Sequence, residues 1–121
     1  MIQAMELQQP ILHPVAGEER RGSLRFQVSL PLSIRFCPPK RSSTSFTGET
    51  INLSGHGIYL VTDTHFAQDT RLALTITLPG KKPWPAALIA RARVRVVRSQ
   101  PIWHRAARRV GVAVEIEYYR V

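Results

Sequence analysis

Apolar and polar residues alternate along four stretches of this 121-residue chain, and none of them repeats with the period of about 3.6 residues that marks an amphipathic helix. The first stretch has apolar residues at Phe26, Val28, Leu30, Leu32, Ile34 and Phe36. Such alternation predicts a strand with one buried face, because successive side chains of a strand point to opposite sides. Pro31 has no N–H to donate to a neighbouring strand, so we expect a sheet edge or a bulge there.

Three later stretches predict further half-buried strands by the same alternation. Their apolar faces consist of Leu72, Leu74, Ile76 and Leu78 in the first, of Leu88, Ala90, Ala92, Val94 and Val96 in the second, and of Val110, Val112, Val114, Ile116 and Tyr118 in the third. The opposite faces of the second and third are charged, and carry Arg91, Arg93, Arg95, Glu115 and Glu117.

These strands, with two short ones in residues 49–63, have to bury their apolar faces against one another, since no helix is predicted to cover them. We therefore predict an all-β fold, a small six-stranded antiparallel β-barrel with little or no helix. A barrel is favoured over a sandwich because closure leaves no strand edge exposed. Residues 1–17 contain three Pro or Gly residues and no sustained pattern, which predicts a flexible N-terminal tail before a single domain at residues 18–121.

The charge of the chain narrows the classes of partner. The formal net charge is +9, which favours an anionic partner: nucleic acid, a nucleotide or a membrane surface. Of the 17 basic residues 14 are Arg, whose planar guanidinium can donate two hydrogen bonds to a phosphate or a guanine edge and can stack on a base. Cys37 is the only cysteine, so neither an internal disulfide nor a cysteine metal site is expected, and the protein is predicted to be cytoplasmic. No apolar run approaches the roughly 18 residues of a membrane span.

Two short motifs, each common by itself, occur together in this chain. The sequence RGSLR, from Arg21 to Arg25, has the form RxxxR, and NLSGHG, from Asn52 to Gly57, has the form (D/N)xSxxG, with 26 residues between them. In a small β-rich chain this pair resembles the PilZ domain, the bacterial module that binds cyclic di-GMP. The resemblance covers roughly residues 18–121 and includes the closing strand GVAVEIEY.

The resemblance implies a receptor without enzymatic activity, cofactor or metal, whose ligand is cyclic di-GMP. Arg21 and Arg25 would clamp its phosphates and guanine edges, Asn52 and Ser54 would hydrogen-bond the base or phosphate, and Gly57 would leave room for the ligand. Many relatives have Asp where this chain has Asn52; the amide keeps an acceptor for a guanine N–H but lacks the charge, so binding is expected to be retained without that charge-assisted component. Arg20 precedes the first motif, a position where the family's arginine accompanies two intercalated ligand molecules. Binding would order the N-terminal arm and change a contact with an effector protein that the sequence does not identify.

Two other functions compete with this interpretation. The stripe of Arg91, Arg93 and Arg95 on a strand is a pattern that can follow the phosphates of single-stranded nucleic acid. That strand has no interleaved aromatic residues to stack bases, so nucleic acid is not the favoured partner, and a solvated face paired to Glu115 and Glu117 is preferred. The second alternative is a PilZ-like adaptor that binds no ligand.

Catalysis has little support in the sequence. The four histidines, His13, His56, His65 and His104, are expected in tail, turn or loop segments without metal-ligand spacing. Cys37 lies at the end of an apolar strand, where a cysteine is expected to act as a small apolar residue.

Overall fold

Strands dominate the residues that the structure, a computed structural model, describes: 13–14, 25–39, 44–79 and 88–121. These residues contain no helix, and in particular none that is long and apolar enough to cross a membrane. The eight strands are β1 (His13–Pro14), β2 (Arg25–Gln27), β3 (Pro31–Phe36), β4 (Ser45–Ser54), β5 (Gly57–Thr62), β6 (Arg71–Leu78), β7 (Leu88–His104) and β8 (Ala107–Arg120).

Six of the strands form a closed antiparallel barrel, which confirms the predicted fold. The strand order is β1-β2-β4-β3-β6-β7-β8-β5, and a further pairing of β4 with β5 closes the ring from β3 to β8. Strand β2 lies outside this ring and pairs with β4 beside the start of β3. His13 and Pro14 pair in turn with Gln27 and Phe26; the rest of the predicted tail lies outside the described residues.

The core fills the barrel as the alternation predicts, except that Leu88, at the start of β7, is 57% exposed. Each predicted apolar face contributes fully buried side chains, and the largest of them are Ile34, Leu60, Leu72, Leu74, Val61, Val94, Val96 and Val112. Three phenylalanines, Phe36, Phe46 and Phe66, meet edge to face at centroid distances between 5.3 and 6.0 Å. Burial of these aliphatic and aromatic faces is the main stabilising contribution to the fold.

The irregularity expected near Pro31 is a break between β2 and β3. Gln27 pairs with Asn52 and Pro31 with Glu49. The three residues 28–30 therefore lie opposite only two residues of β4, 50 and 51. The buried Thr50 hydroxyl fills the break: it accepts the N–H of Leu30 at 2.9 Å and donates to the carbonyl of Val28. The threonine hydroxyl thus pairs the Leu30 N–H and the Val28 carbonyl where the ladder is interrupted, while the N–H groups of Val28 and Thr50 donate to the carbonyls of Ile51 and Leu30.

Two features of β7 and β8 correct the sequence analysis. A register shift pairs Arg93 with Tyr118 but Val94 with Ile116, so Glu117 is an extra residue. The bulge reverses which face the next side chain takes, and Tyr118 is 55% exposed beside Arg93 rather than in the core. In addition, β7 runs on to His104, which places that histidine in a strand and not in a loop.

Candidate functional site

The ladder between β2 and β4 brings the two motifs together. Arg25, the last residue of RxxxR, is the direct partner of Ser54, and Gln27 is the partner of Asn52. Segments separated by 26 residues in sequence therefore lie on neighbouring strands, which are about 5 Å apart. Arg21, the other predicted clamp residue, and Arg20, predicted to contact a second ligand molecule, lie outside the described residues.

Ser54 shapes the turn that joins β4 to β5. Its hydroxyl oxygen accepts the N–H groups of His56 at 3.2 Å and Gly57 at 3.1 Å, and its proton is donated to the Gly57 carbonyl at 3.3 Å. A serine hydroxyl has one donor and two acceptor positions, so all of them are engaged here. Ser54, which the resemblance assigns to ligand binding, therefore also holds the turn between β4 and β5 in its conformation.

Position 57 requires glycine because the backbone of β8 lies close to it, and not because of an unusual φ. Neither Gly55 nor Gly57 adopts the left-handed region. A Cβ on Gly57 would lie 2.9 Å from the carbonyl oxygen of Val114 on β8, whereas a Cβ on Gly55 would meet nothing within 4 Å. The glycine at position 57 is therefore required by packing against β8, whatever else it does.

A groove of about 470 Å³ opens beside these residues, across β4, β5, β8 and β7. Asn52 and Gly57 line one side, Val97 and Arg98 line the other, and Tyr59 lies between them. The Tyr59 ring covers Gly111, where a Cβ would collide with its hydroxyl group. The groove therefore combines an amide, a guanidinium and a half-buried aromatic ring, groups that suit a planar base carrying a phosphate.

Arg98 lines this groove and is not among the residues that the sequence predicts for the site. The ladder between β7 and β8 shifts between Val96 and Arg98, which leaves Val97 as an extra residue, 37% exposed. The bulge returns the following arginine to the outer face, where it lines the groove. Two adjacent valines interrupt the strict alternation at this point in the sequence, and that interruption was the available signal.

The charges around the groove leave it positive. Glu115, the ladder partner of Gly57, is held by Arg95 at 2.7 Å, and the second arm of Arg95 holds Asp69 at 2.7 Å. Hydrogen bonds to Glu115 and Asp69 raise the pKa of the Arg95 guanidinium. Glu115 is thus paired with an arginine, while Arg98 makes no ion pair within the described part of the chain.

A polar cluster connects the tip of the β7–β8 hairpin to the break after β2. Glu49 accepts hydrogen bonds from Ser29 at 3.1 Å and from His104 at 3.1 Å, and its carboxylate lies 3.1 Å from Arg105. Burial acts to raise the pKa of Glu49, but the hydrogen bonds from His104 and Ser29 and the charge of Arg105 outweigh it, so the pKa lies below its ordinary value. Ser29 follows β2 by two residues, so the cluster fixes the hairpin tip to the strand that carries Arg25.

The comparison with protein-family models gave a match. Residues 19–118 match the family model of the PilZ domain. No curated protein matches the chain. Among the described residues, no group of three His, Cys, Asp or Glu side chains could hold a metal ion.

Proposed function

Since the chain belongs to the PilZ domain family, we propose that it is a bacterial, cytoplasmic receptor for cyclic di-GMP and not an enzyme. The observation that carries this proposal is the pairing of Arg25 with Ser54, which joins the two halves of the family's binding pattern. The groove lined by Asn52 and Gly57 lies next to that pair. The net charge of +9 favours the same anionic ligand.

The proposed contacts follow the chemistry of each side chain. Arg21 and Arg25 bind the phosphates and a guanine edge, because a guanidinium donates two parallel hydrogen bonds to either. Asn52 accepts from a guanine N–H through its amide oxygen, without the charge that an aspartate would add. Arg98 is added to this set from the structure, as a guanidinium on the far side of the groove from Asn52.

The proposed output is a changed protein surface. Strand β2 pairs with β4 outside the closed ring, so the arginine-rich segment before it can be fixed by ligand without any barrel hydrogen bond being broken. Cyclic di-GMP would hold residues 18–24 against the groove and alter the contact that an effector protein makes there. Hydrogen exchange of this segment, slowed by ligand while the barrel strands stay unchanged, would support this step.

The proposed stoichiometry is two ligand molecules per chain, with Arg20 contacting the second. A guanidinium can stack on a guanine ring or bind the second ligand's phosphate. Calorimetric titration should then give two molecules per wild-type chain and one for Arg20→Ala. One molecule per chain for both proteins would refute the proposed pair.

Titration of the whole chain with cyclic di-GMP tests the function itself. Binding should be lost in Arg21→Ala and in Arg25→Ala and retained in Arg108→Ala, which removes the same charge from the exposed hairpin. A wild-type protein that is folded by circular dichroism and yet binds no cyclic di-GMP would contradict the receptor and favour the adaptor.

A further inference from the structure

A second groove, of about 510 Å³, lies on the outer face of β6, β7 and β8. Its charged and aromatic lining consists of Arg91, Arg93, Tyr118 and Arg120, and residues 73–75 of β6 and Ala92 of β7 form the rest of the wall. None of these residues lines the groove beside Asn52. Both grooves include parts of β7 and β8, but β6 lines only this one, and β4 and β5 line only the groove beside Asn52.

The arginines on this face fall into two groups. One group is neutralised: Arg71 binds Glu117 through two hydrogen bonds of 2.8 and 3.0 Å, and Arg95 binds Glu115 and Asp69. The other group lines the groove, and within the described part of the chain Arg91, Arg93 and Arg120 make no ion pair. Three positive charges are therefore available to an anion in one place.

Two of the groove arginines stand directly opposite each other. Arg91 is the ladder partner of Arg120, and like charges at such positions on one sheet face destabilise a sheet. An anion between the two guanidiniums would turn that repulsion into attraction. The arrangement is therefore one that a bound phosphate or carboxylate would stabilise.

The bulge at Glu117 adds an aromatic ring to this basic groove. It turns Tyr118 outward, where the ring lies 6.0 Å from the Arg93 guanidinium carbon and is 55% exposed. The arginine strand itself has no interleaved aromatic residue to stack a base, which from the sequence alone disfavours nucleic acid. In the folded protein the neighbouring strand supplies one.

We propose that this groove binds single-stranded nucleic acid, with backbone phosphates at Arg91, Arg93 and Arg120 and a base stacked on Tyr118. A nucleotide offers a phosphate and a π face together, and that combination is what positively charged grooves for single strands use. An acidic peptide would pair with the guanidiniums, but its carboxylates offer nothing that stacks on the Tyr118 ring, which is 55% exposed even with Arg93 beside it. Nucleic acid is therefore the better match to the whole lining.

Fluorescence anisotropy with a labelled 15-nucleotide oligothymidylate tests this site in the full-length protein at several salt concentrations. With three phosphates contacted, log K should fall with log salt at a slope of about −2, since each contact on a single strand contributes about 0.7. Tyr118→Leu, which keeps an apolar side chain of similar size, should weaken binding about tenfold through the lost stacking. The double variant Arg91→Ala and Arg120→Ala should lower both the affinity and the slope.

Arg108→Ala is the matched control, because it removes one charge from the far end of the hairpin and should leave oligonucleotide binding almost unchanged. Equal losses in Arg108→Ala and Arg93→Ala would show attraction by net charge alone and overturn the proposal. Absence of binding at 50 mM salt would also overturn it, as would tighter binding of a labelled polyglutamate peptide that Arg91→Ala and Arg120→Ala abolish. Circular dichroism of each variant confirms that the barrel is intact.

Discussion

Arg25 lies directly opposite Ser54 in the antiparallel ladder of β2 and β4. One belongs to an arginine pair that precedes the barrel and the other to the polar turn between two barrel strands. The ladder converts two weak sequence motifs into one surface. It also makes that surface depend on the turn, because the Ser54 hydroxyl holds the backbone of His56 and Gly57.

Replacing Ser54 by Ala should affect both stability and ligand binding. The N–H groups of His56 and Gly57 lose their acceptor, so we expect the free energy of unfolding to fall by about 1 kcal/mol and affinity for cyclic di-GMP to fall with it. Ser54→Asn keeps a side-chain oxygen and should recover most of the stability. Denaturant unfolding and calorimetry of both variants check this, and an Ala variant with unchanged stability would show that the turn does not need the hydroxyl.

Replacing Arg98 by Ala should separate binding from folding. The side chain is exposed on the barrel surface, so the free energy of unfolding should change by less than about 0.5 kcal/mol. Affinity for cyclic di-GMP should drop about tenfold through loss of a charged hydrogen bond to phosphate. Arg98→Lys should recover only part of it, and equal affinity of Arg98→Ala and wild type would remove Arg98 from the site.

Thr50→Val should destabilise the protein although the two side chains have nearly the same shape. The change leaves the Leu30 N–H and the Val28 carbonyl without their shared partner at a site that is 1% exposed. We expect a loss of about 1–3 kcal/mol, the cost of unsatisfied buried groups. Thr62→Val is a suitable comparison, since the Thr62 hydroxyl makes one hydrogen bond, to Thr47, and should cost less in urea unfolding.

Ala106→Gly should stabilise the hairpin between β7 and β8. Arg105 and Ala106 form its two-residue turn with φ of 53° and 60°, a conformation that glycine adopts without steric cost. We expect a gain of about 1 kcal/mol in the free energy of unfolding. The same substitution at Ala107, which is paired with His104 in the ladder, should instead lower it, and a loss in both variants would contradict the steric explanation.

Acid should remove the stabilisation that comes from Glu49. Its partners lower the pKa of the folded state below the ordinary value of 4.5, so the unfolded chain takes up the proton first as the pH falls. The stabilisation by the charged Glu49 is complete at pH values above 4.5. It is lost as the pH falls through the lower pKa that Glu49 has in the folded protein. The free energy of unfolding of wild type should therefore exceed that of Glu49→Gln at neutral pH, and this difference should shrink below about pH 4. A difference in the free energy of unfolding that does not change with pH would show that the charge of Glu49 plays no part.

The sequence was sufficient for the strands and their buried faces, because alternation at Leu72 to Leu78 or at Ala92 to Val96 reports burial directly. It was not sufficient for Tyr118 or Arg98. Each follows a bulge, and a bulge is a property of how two strands pair, so it leaves only a faint trace in either strand alone. The contact of Glu49 with His104 joins positions 55 residues apart, which no local pattern specifies.

The closed ring has a consequence for how this protein can change over time. The hydrogen-bonded ring of β3 to β8 closes without β2. We therefore expect substitutions in the arginine-rich segment, residues 18–24, to leave the barrel folded. Ligand recognition can therefore be weakened, strengthened or lost by mutation while the chain still folds. Related proteins can therefore diverge in ligand specificity without losing the stability of the barrel.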